Sequence, residues 1–201
     1  MTEKSRSDAW ALVTEYTSSD SLRKHMLAVE AAMRAYARKL GGDEERWGMA
    51  GLLHDFDYEQ HPNPAGVADP DEHPLFGSRI LEEQGYPADV IYAIKTHADY
   101  LELPRLSPMD RALAAVDELT GFITAAALVR PDKTINGLEA KSVRKRMKDK
   151  AFARNVSRED ITRGAEDLGV DLDEHIQFVI AAMQGIAPQL GLDGAAAAAT
   201  A

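Results

Sequence analysis

The chain contains no cysteine, which excludes disulfides, thiolate metal sites and a cysteine nucleophile. It has no apolar run near the roughly 20 residues that a membrane-spanning helix needs. Its first ten residues, MTEKSRSDAW, lack the apolar segment of a secretory signal. Together these absences predict a cytoplasmic protein that does not bind a membrane.

Positive charges are outnumbered, since the chain has 23 Lys and Arg residues and 33 Asp and Glu residues, which gives a net charge of −10. General nucleic-acid binding depends on many contacts between Lys or Arg and phosphates, so we do not expect it here. Hydrophobic residues make up 45% of the 201 residues and charged residues 28%, as in ordinary globular proteins. This length is enough for one domain with a substantial core.

No stretch shows the alternation of apolar and polar residues that predicts a strand. Helical spacing dominates instead. In residues 21–40 the apolar side chains recur every three or four positions and form one stripe. Comparable patterns, most of them with a capping residue or a proline at the start, predict further helices at 43–54, 74–85, 87–98, 108–130, 138–150, 157–169 and 171–185. The predicted fold class is all-α.

These helices predict a single domain over residues 1–190, with a core at about 20–125 and C-terminal helices at 132–188. The low-complexity sequence at 191–201, GLDGAAAAATA, predicts a flexible tail. The connection at 56–72 is long and rich in Pro, Asp and Gly. Loops of this length inside a domain are uncommon and are often functional.

Six ionisable residues lie on or at the ends of apolar helix faces, namely His25, His54, Asp55, His73, His97 and Asp117. An unpaired buried carboxylate costs several kcal/mol, so two such acids indicate a nearby cation. Imidazole and carboxylate are the ligands that divalent metals accept when thiolates are absent. Four imidazoles and two carboxylates suit two ions better than one, because one Asp can bridge them.

Each of these residues also has a simpler interpretation. A histidine such as His25 or His97 alone is more often a hydrogen-bonded core residue than a ligand. The His54-Asp55 pair could form a hydrogen bond at the helix end, and Asp117 could pair with an arginine. Only the joint pattern favours a metal site. The two remaining histidines are interpreted as a loop residue, His61, and a structural or exposed residue, His175.

The order His25 … His54-Asp55 … Asp117 resembles the H…HD…D signature of the HD-domain superfamily of metal-dependent phosphohydrolases. The resemblance covers about residues 20–125. His73 and His97 resemble the additional histidines of two-metal members. The resemblance implies an all-α, HD-domain-like helical bundle with a metal site between its core helices.

The resemblance also implies a ligand set and a reaction. His25, His54, Asp55 and Asp117 would hold one divalent ion, and Asp55 would bridge to a second ion held also by His73 and His97. The ions could be Mn, Fe, Co, Ni or Zn. A metal-activated water would attack phosphorus in a small phosphorylated substrate, such as a nucleotide.

Further residues are candidates for catalysis and substrate binding. Asp55, as the bridging ligand, and Asp57 and Glu59 in the following loop are candidate catalytic residues, although the two loop acids could instead be solvated. Some pyrophosphohydrolases of the superfamily carry a Glu-Asp pair where this chain has Tyr58 and Glu59. The basic segment at 141–158 could bind an anionic substrate or form a solvated helix face, and its candidate residues, with one lysine preceding it, are Lys133, Lys141, Arg144 and Lys145.

Two other functions fit the same residues. HD-fold di-iron oxygenases, such as myo-inositol oxygenase, use a similar His and Asp set, so ligand type does not separate oxidation from hydrolysis. A non-catalytic module that binds a nucleotide is the third interpretation. Hydrolysis is favoured because the superfamily is mostly hydrolytic. The sequence does not indicate an oligomeric state.

Overall fold

The computed structural model describes residues 4–195, and within this range it contains α-helices, one 3₁₀ turn and no β-strand. The predicted all-α class is confirmed. The helices are α1 (Arg6–Tyr16), α2 (Asp20–Leu40), α3 (Glu44–Leu53), α4 (Leu75–Glu83), α5 (Ala88–His97), α6 (Pro108–Leu128), α7 (Ala140–Met147), α8 (Arg158–Leu168), α9 (Leu172–Gln184) and α10 (Ala187–Leu190). None of these described helices is both long and apolar enough to cross a membrane.

Helix α1 was missing from the sequence prediction. Its start is fixed by a capping box, in which the Ser5 hydroxyl accepts from the Asp8 N–H at 3.2 Å and the Asp8 carboxylate accepts from the Ser5 N–H at 2.8 Å. The buried residues of α1 are Ala9, Leu12 and Val13. Such a narrow apolar stripe gives a weak periodic signal, although the Ser-x-x-Asp pattern was readable.

The chain forms two compact units, Met1–Leu113 and Ala114–Ala201. In the first unit α2 packs on α3, α3 also packs on α1 and α5, and α4 packs on α5. Its core contains fully buried side chains from α2 and α3, among them Met26, Met33, Tyr36 and Leu52. The single domain over residues 1–190 stays a prediction.

Helices α2 and α3 of the first unit pack closely against each other. A Cβ atom on Gly51 would lie 3.0 Å from the Glu30 backbone, so the end of α3 can reach α2 closely because this residue is glycine. Helix α2 ends at Gly41, whose φ of 73° suits a glycine, and Asp43 then caps α3 through the Glu45 N–H at 2.9 Å. This hairpin brings the residue after α3 beside α2.

The predicted long connection is confirmed as irregular chain between α3 and α4, and hydrogen bonds hold it in place. The His73 N–H donates to the His61 carbonyl at 2.7 Å. The Asn63 amide donates to the carbonyls of Val67, at 2.7 Å, and His73, at 3.2 Å. The loop therefore fixes the backbone that enters α4.

The second unit contains α7, α8 and α9, with α7 and α8 each packed on α9. His175 is buried and its Nε2 faces the Ala115 carbonyl at 3.0 Å, which confirms its interpretation as a structural residue. Leu192 is also buried, and its carbonyl accepts from the Ile135 N–H at 2.8 Å. The predicted tail is therefore packed at its first residues, while 196–201 lie outside the described residues.

A buried carboxylate ties α1 to α2. Glu30 is 4% exposed and accepts from Arg6 Nε at 2.6 Å, Arg6 Nη2 at 2.8 Å and Arg34 Nε at 2.9 Å. Three charge-assisted bonds to one carboxylate satisfy it where water cannot. Removing the acid would leave two guanidinium groups without their shared partner.

We predict that Glu30→Ala lowers the free energy of unfolding by about 2 to 3 kcal/mol, because breaking a buried ion pair leaves charge uncompensated. Urea unfolding followed by circular dichroism measures the change. Glu82→Ala is the control, since it removes an exposed ion pair with Lys95 at 2.7 Å and should cost less than about 1 kcal/mol. Equal losses in the two variants would contradict this account.

Candidate metal centre

Four histidine rings of the first unit meet in two pairs. The Nε2 atoms of His25 and His54 are 3.2 Å apart, and those of His73 and His97 are also 3.2 Å apart. His25 lies in the second turn of α2, and His54 follows the last residue of α3. His73 ends the long loop, and His97 is the last residue of α5. Residues separated by up to 72 positions thus share one site.

The Asp55 carboxylate lies between the two pairs. Its Oδ2 is 3.8 Å from His25 Nε2 and 3.5 Å from His54 Nε2. Its Oδ1 is 3.4 Å from His73 Nε2 and 3.7 Å from His97 Nε2. Each oxygen of one carboxylate therefore faces a different pair of imidazoles.

These distances fit metal coordination. Ligand atoms that each lie about 2.1 Å from one ion are about 3.0 to 3.5 Å apart. The observed separations run from 3.2 to 3.8 Å. Two groups of three could each hold an ion, His25 with His54 and Asp55, and Asp55 with His73 and His97. Small movements would bring every ligand atom to bonding distance.

The protonation of the rings also suits a metal. His54 Nδ1 faces the Gly51 carbonyl at 2.8 Å, and His97 Nδ1 faces the Ile94 carbonyl. A carbonyl only accepts hydrogen bonds, so each Nδ1 carries the hydrogen and the neutral ring keeps a lone pair on Nε2. Both carbonyls belong to the last turn of a helix, where backbone acceptors have no helical partner.

His73 lies in the loop before α4, and side chains from other parts of the chain hold it in place. Its Nδ1 is 2.8 Å from Asp57 Oδ1, and the Tyr100 hydroxyl donates to its carbonyl at 2.6 Å. Asp57 is 1% exposed, so the alternative of a solvated loop residue is wrong for it. Burial, together with the charges of Asp57 and Asp55, raises the pKa of Tyr100 to about 12, which keeps its hydroxyl a donor.

Glu59 has a different environment from Asp57. It is exposed, and its carboxylate accepts from the backbone N–H groups of Ser18, at 3.0 Å, and Ser19, at 2.8 Å, at the start of α2. The Ser18 hydroxyl also donates to it, and these bonds hold the pKa of Glu59 below its usual range. Its carboxylate is thus engaged with the helix N-terminus, and its catalytic role stays a prediction.

The sixth predicted ligand and the basic residues lie in the second unit. Asp117 is half-buried on α6, and its role as a ligand stays a prediction. On α7 a surface depression of about 420 Å³ is lined by Lys141, Ser142, Arg144, Lys145 and Lys148. Arg144 also pairs with Asp173 at 2.9 Å, and Lys133 is exposed in the turn after α6.

Two contributors to the site were not recognised from the sequence. Tyr100 supports the His73 backbone, and Gly77 lies against the Asp57 side chain. Tyr58 is half-exposed, and its ring stands edge-on to the His73 ring with the centroids 5.2 Å apart. Aromatic residues near the histidines were visible in the sequence, but nothing there indicated which backbone group they contact.

The HD domain family model matches residues 22–121, a range that contains all six predicted ligands. The chain belongs to the HD-domain superfamily. This superfamily generally consists of metal-dependent phosphohydrolases that bind divalent metals, which agrees with the two His and Asp groups. The helical HD domain also agrees with the all-α fold.

The HD-domain chain is similar to Ribonuclease Y of Oleidesulfovibrio alaskensis, with 29% identity over 103 residues. The matched region covers 51% of this chain and 18% of the relative, so the similarity concerns a small part of that longer protein. No solved structure is significantly similar to this chain.

We predict that Asp55→Ala weakens binding of divalent metal by about 100-fold or more, because both groups of ligands share this carboxylate. Equilibrium dialysis against Mn²⁺ or Zn²⁺ with elemental analysis measures it. His61→Ala is the control, because this loop histidine stacks on Phe76 and belongs to neither group. Unchanged metal binding by Asp55→Ala would contradict the assignment of the centre.

Proposed function

We propose that this HD-domain protein hydrolyses a small phosphorylated compound with two divalent ions. The observation that carries the proposal is the position of Asp55, whose two oxygens face separate pairs of histidines. A carboxylate in this position is suited to bridge two ions, with His25 and His54 on one and His73 and His97 on the other. Asp117, which belongs to the second unit, remains a predicted ligand.

Charge balance supports an anionic substrate. Four neutral imidazoles and the two carboxylates of Asp55 and Asp117 would supply two negative charges to two divalent ions. The loaded centre would therefore keep a net positive charge in a chain whose overall charge is −10. A phosphate group compensates such a charge, whereas a neutral substrate does not.

The ions, when bound, supply a water nucleophile near neutral pH and neutralise charge on the phosphoryl group. The protein's own residues hold the ligands in position. The Nδ1 hydrogen bonds keep His54, His73 and His97 in the tautomer that leaves Nε2 available. Asp57 has both oxygens engaged and Glu59 bonds to Ser18 and Ser19, so we assign neither acid a proton transfer.

We predict metal-dependent hydrolysis by the wild-type chain, measured as phosphate released from a monoester or as the alcohol and monoester released from a diester, and a loss of about 1,000-fold in Asp55→Ala. The assay tests nucleoside monophosphates, a phosphate monoester and a phosphate diester, each with Mn, Fe, Co, Ni or Zn and after chelation. A short RNA belongs to the panel because the similar relative is, by its name, a ribonuclease. His61→Ala is again the control and should keep wild-type rates.

Other outcomes of the same assay would favour the alternative functions. Oxygen consumption by the iron-loaded chain, without hydrolysis of any substrate in the panel, would favour a di-iron oxygenase. Nucleotide binding that requires the metal, again without hydrolysis, would favour a regulatory module. Phosphate release that survives both chelation and Asp55→Ala would contradict hydrolysis at this centre.

We also propose that the basic face of α7 attracts the anionic substrate. Lys141, Lys145 and Lys148 recur at spacings of four and three residues, so they share one side of the helix, and all are exposed. Positive charge in one place can raise the local concentration of an anion even when the whole chain is acidic. The effect weakens as salt screens it.

We predict that the double variant Lys141→Ala/Lys145→Ala raises KM about 5-fold at low salt and leaves kcat unchanged. Steady-state kinetics at two ionic strengths measure the effect, which should shrink at high salt. Lys24→Ala/Lys39→Ala is the control, because it removes the same charge from α2. If both double variants raise KM equally, the net charge is responsible and α7 is a solvated face.

A further inference from the structure

We propose that Asp57 is a positioning residue that sets the tautomer of His73 and thereby enables the second ion position, formed by Asp55, His73 and His97, to bind metal. The inference rests on the metal centre of the proposed function. It assigns Asp57 a role that acts through His73 and not through contact with the substrate.

The geometry of Asp57 is that of a fixed support. Its Oδ1 accepts from His73 Nδ1 at 2.8 Å, and its Oδ2 accepts from the Gly77 backbone N–H at 2.7 Å. The side chain is 1% exposed, so water does not compete for these bonds. Gly77 lies in the first turn of α4, where N–H groups have no helical partner and the helix dipole favours a negative charge.

Gly77 is the residue that allows this approach. A Cβ atom there would lie 2.7 Å from Asp57 Cγ and 2.8 Å from a ring carbon of Phe56. Real Cβ atoms do not come so close to other atoms, so any larger residue would displace the carboxylate. The contact between Asp57 and His73 thus depends on a glycine twenty positions away in the chain.

A carboxylate acts differently on its histidine from the carbonyls that hold His54 and His97. It accepts a charge-assisted hydrogen bond, which is stronger than a neutral one and makes the ring a better electron donor at Nε2. The carbonyl contacts of His54 and His97 lack this charge. We therefore assign the Asp57 effect to the second ion position alone.

An asparagine cannot replace Asp57 in this arrangement, although it has nearly the same shape. Asp57 accepts two hydrogen bonds, one at each oxygen, whereas Asn has one oxygen and one NH₂ group. If its NH₂ faces Gly77, two donors oppose each other. If its NH₂ faces His73, Nδ1 must accept, the hydrogen moves to Nε2, and the atom needed for the metal loses its lone pair.

We predict that Asp57→Asn moves the hydrogen of His73 from Nδ1 to Nε2 in the metal-free chain. Long-range ¹H–¹⁵N NMR of the histidine rings, at about pH 8 where imidazoles are neutral, reads the tautomer directly. In the same variant, one of the two ions should bind about 10- to 100-fold more weakly, and the other should bind as in the wild type. Calorimetric titration with Zn²⁺ measures both affinities.

Two further variants separate positioning from folding. Gly77→Ala should weaken the binding of the same ion, because the new methyl group displaces the Asp57 carboxylate without changing a ligand. Asp89→Asn is the control, because it alters an exposed ion pair with Arg46 and should change neither the tautomer nor the metal affinity. Thermal melting of each metal-free variant checks that the fold persists.

The outcomes distinguish this inference from the proposed function. If the wild type binds two ions and Asp57→Asn binds both equally well with His73 unchanged, the positioning role is overturned. Loss of both ions together with a lowered melting temperature would make Asp57 a structural residue and would also overturn it. If the wild type binds no metal while the tautomer still shifts, the proposed function fails and the Asp57–His73 coupling stands.

Discussion

The arrangement of the centre depends on one carboxylate, Asp55, that faces two pairs of imidazoles. For this to work, four rings from four parts of the chain must present Nε2 and not Nδ1 to the centre. The chain meets this requirement by giving Nδ1 of His54 and His97 a carbonyl of their own last helical turn. Helix ends therefore supply both the ligand and the acceptor that orients it.

Close packing around the centre follows from the same requirement. Polar groups lose water when they enter an apolar bundle, so each must find a partner at short range. Gly51 lets α3 approach α2 at Glu30 and Met33, and Gly77 lets Asp57 reach the start of α4. A side chain at Gly51 would push α3 away from α2, and one at Gly77 would displace the Asp57 carboxylate that holds His73.

The positions of the helices and the grouping of the histidines could be predicted from the sequence, because both follow from patterns in the order of the residues. Apolar spacing located α2 to α9 within a few residues, and the order of His and Asp predicted the meeting of the four histidines with Asp55, while Asp117 as a ligand stays a prediction. The difference between Asp57 and Glu59 was not predictable in this way. Burial of one and exposure of the other depend on Gly77 and on Ser18 and Ser19, which lie 20 to 41 positions away.

The different environments of these two acids determine which part of the structure each one supports. Asp57 uses both oxygens to hold His73 and α4, while Glu59 accepts from the Ser18 and Ser19 N–H groups just before α2. A pair of acids following the HD dipeptide would add negative charge beside the histidines. In this chain a half-exposed Tyr58 stands against His73 instead. The two acids of the loop after the HD dipeptide therefore hold the backbone and side chains around the histidines in place, Asp57 at His73 and α4 and Glu59 at the residues before α2.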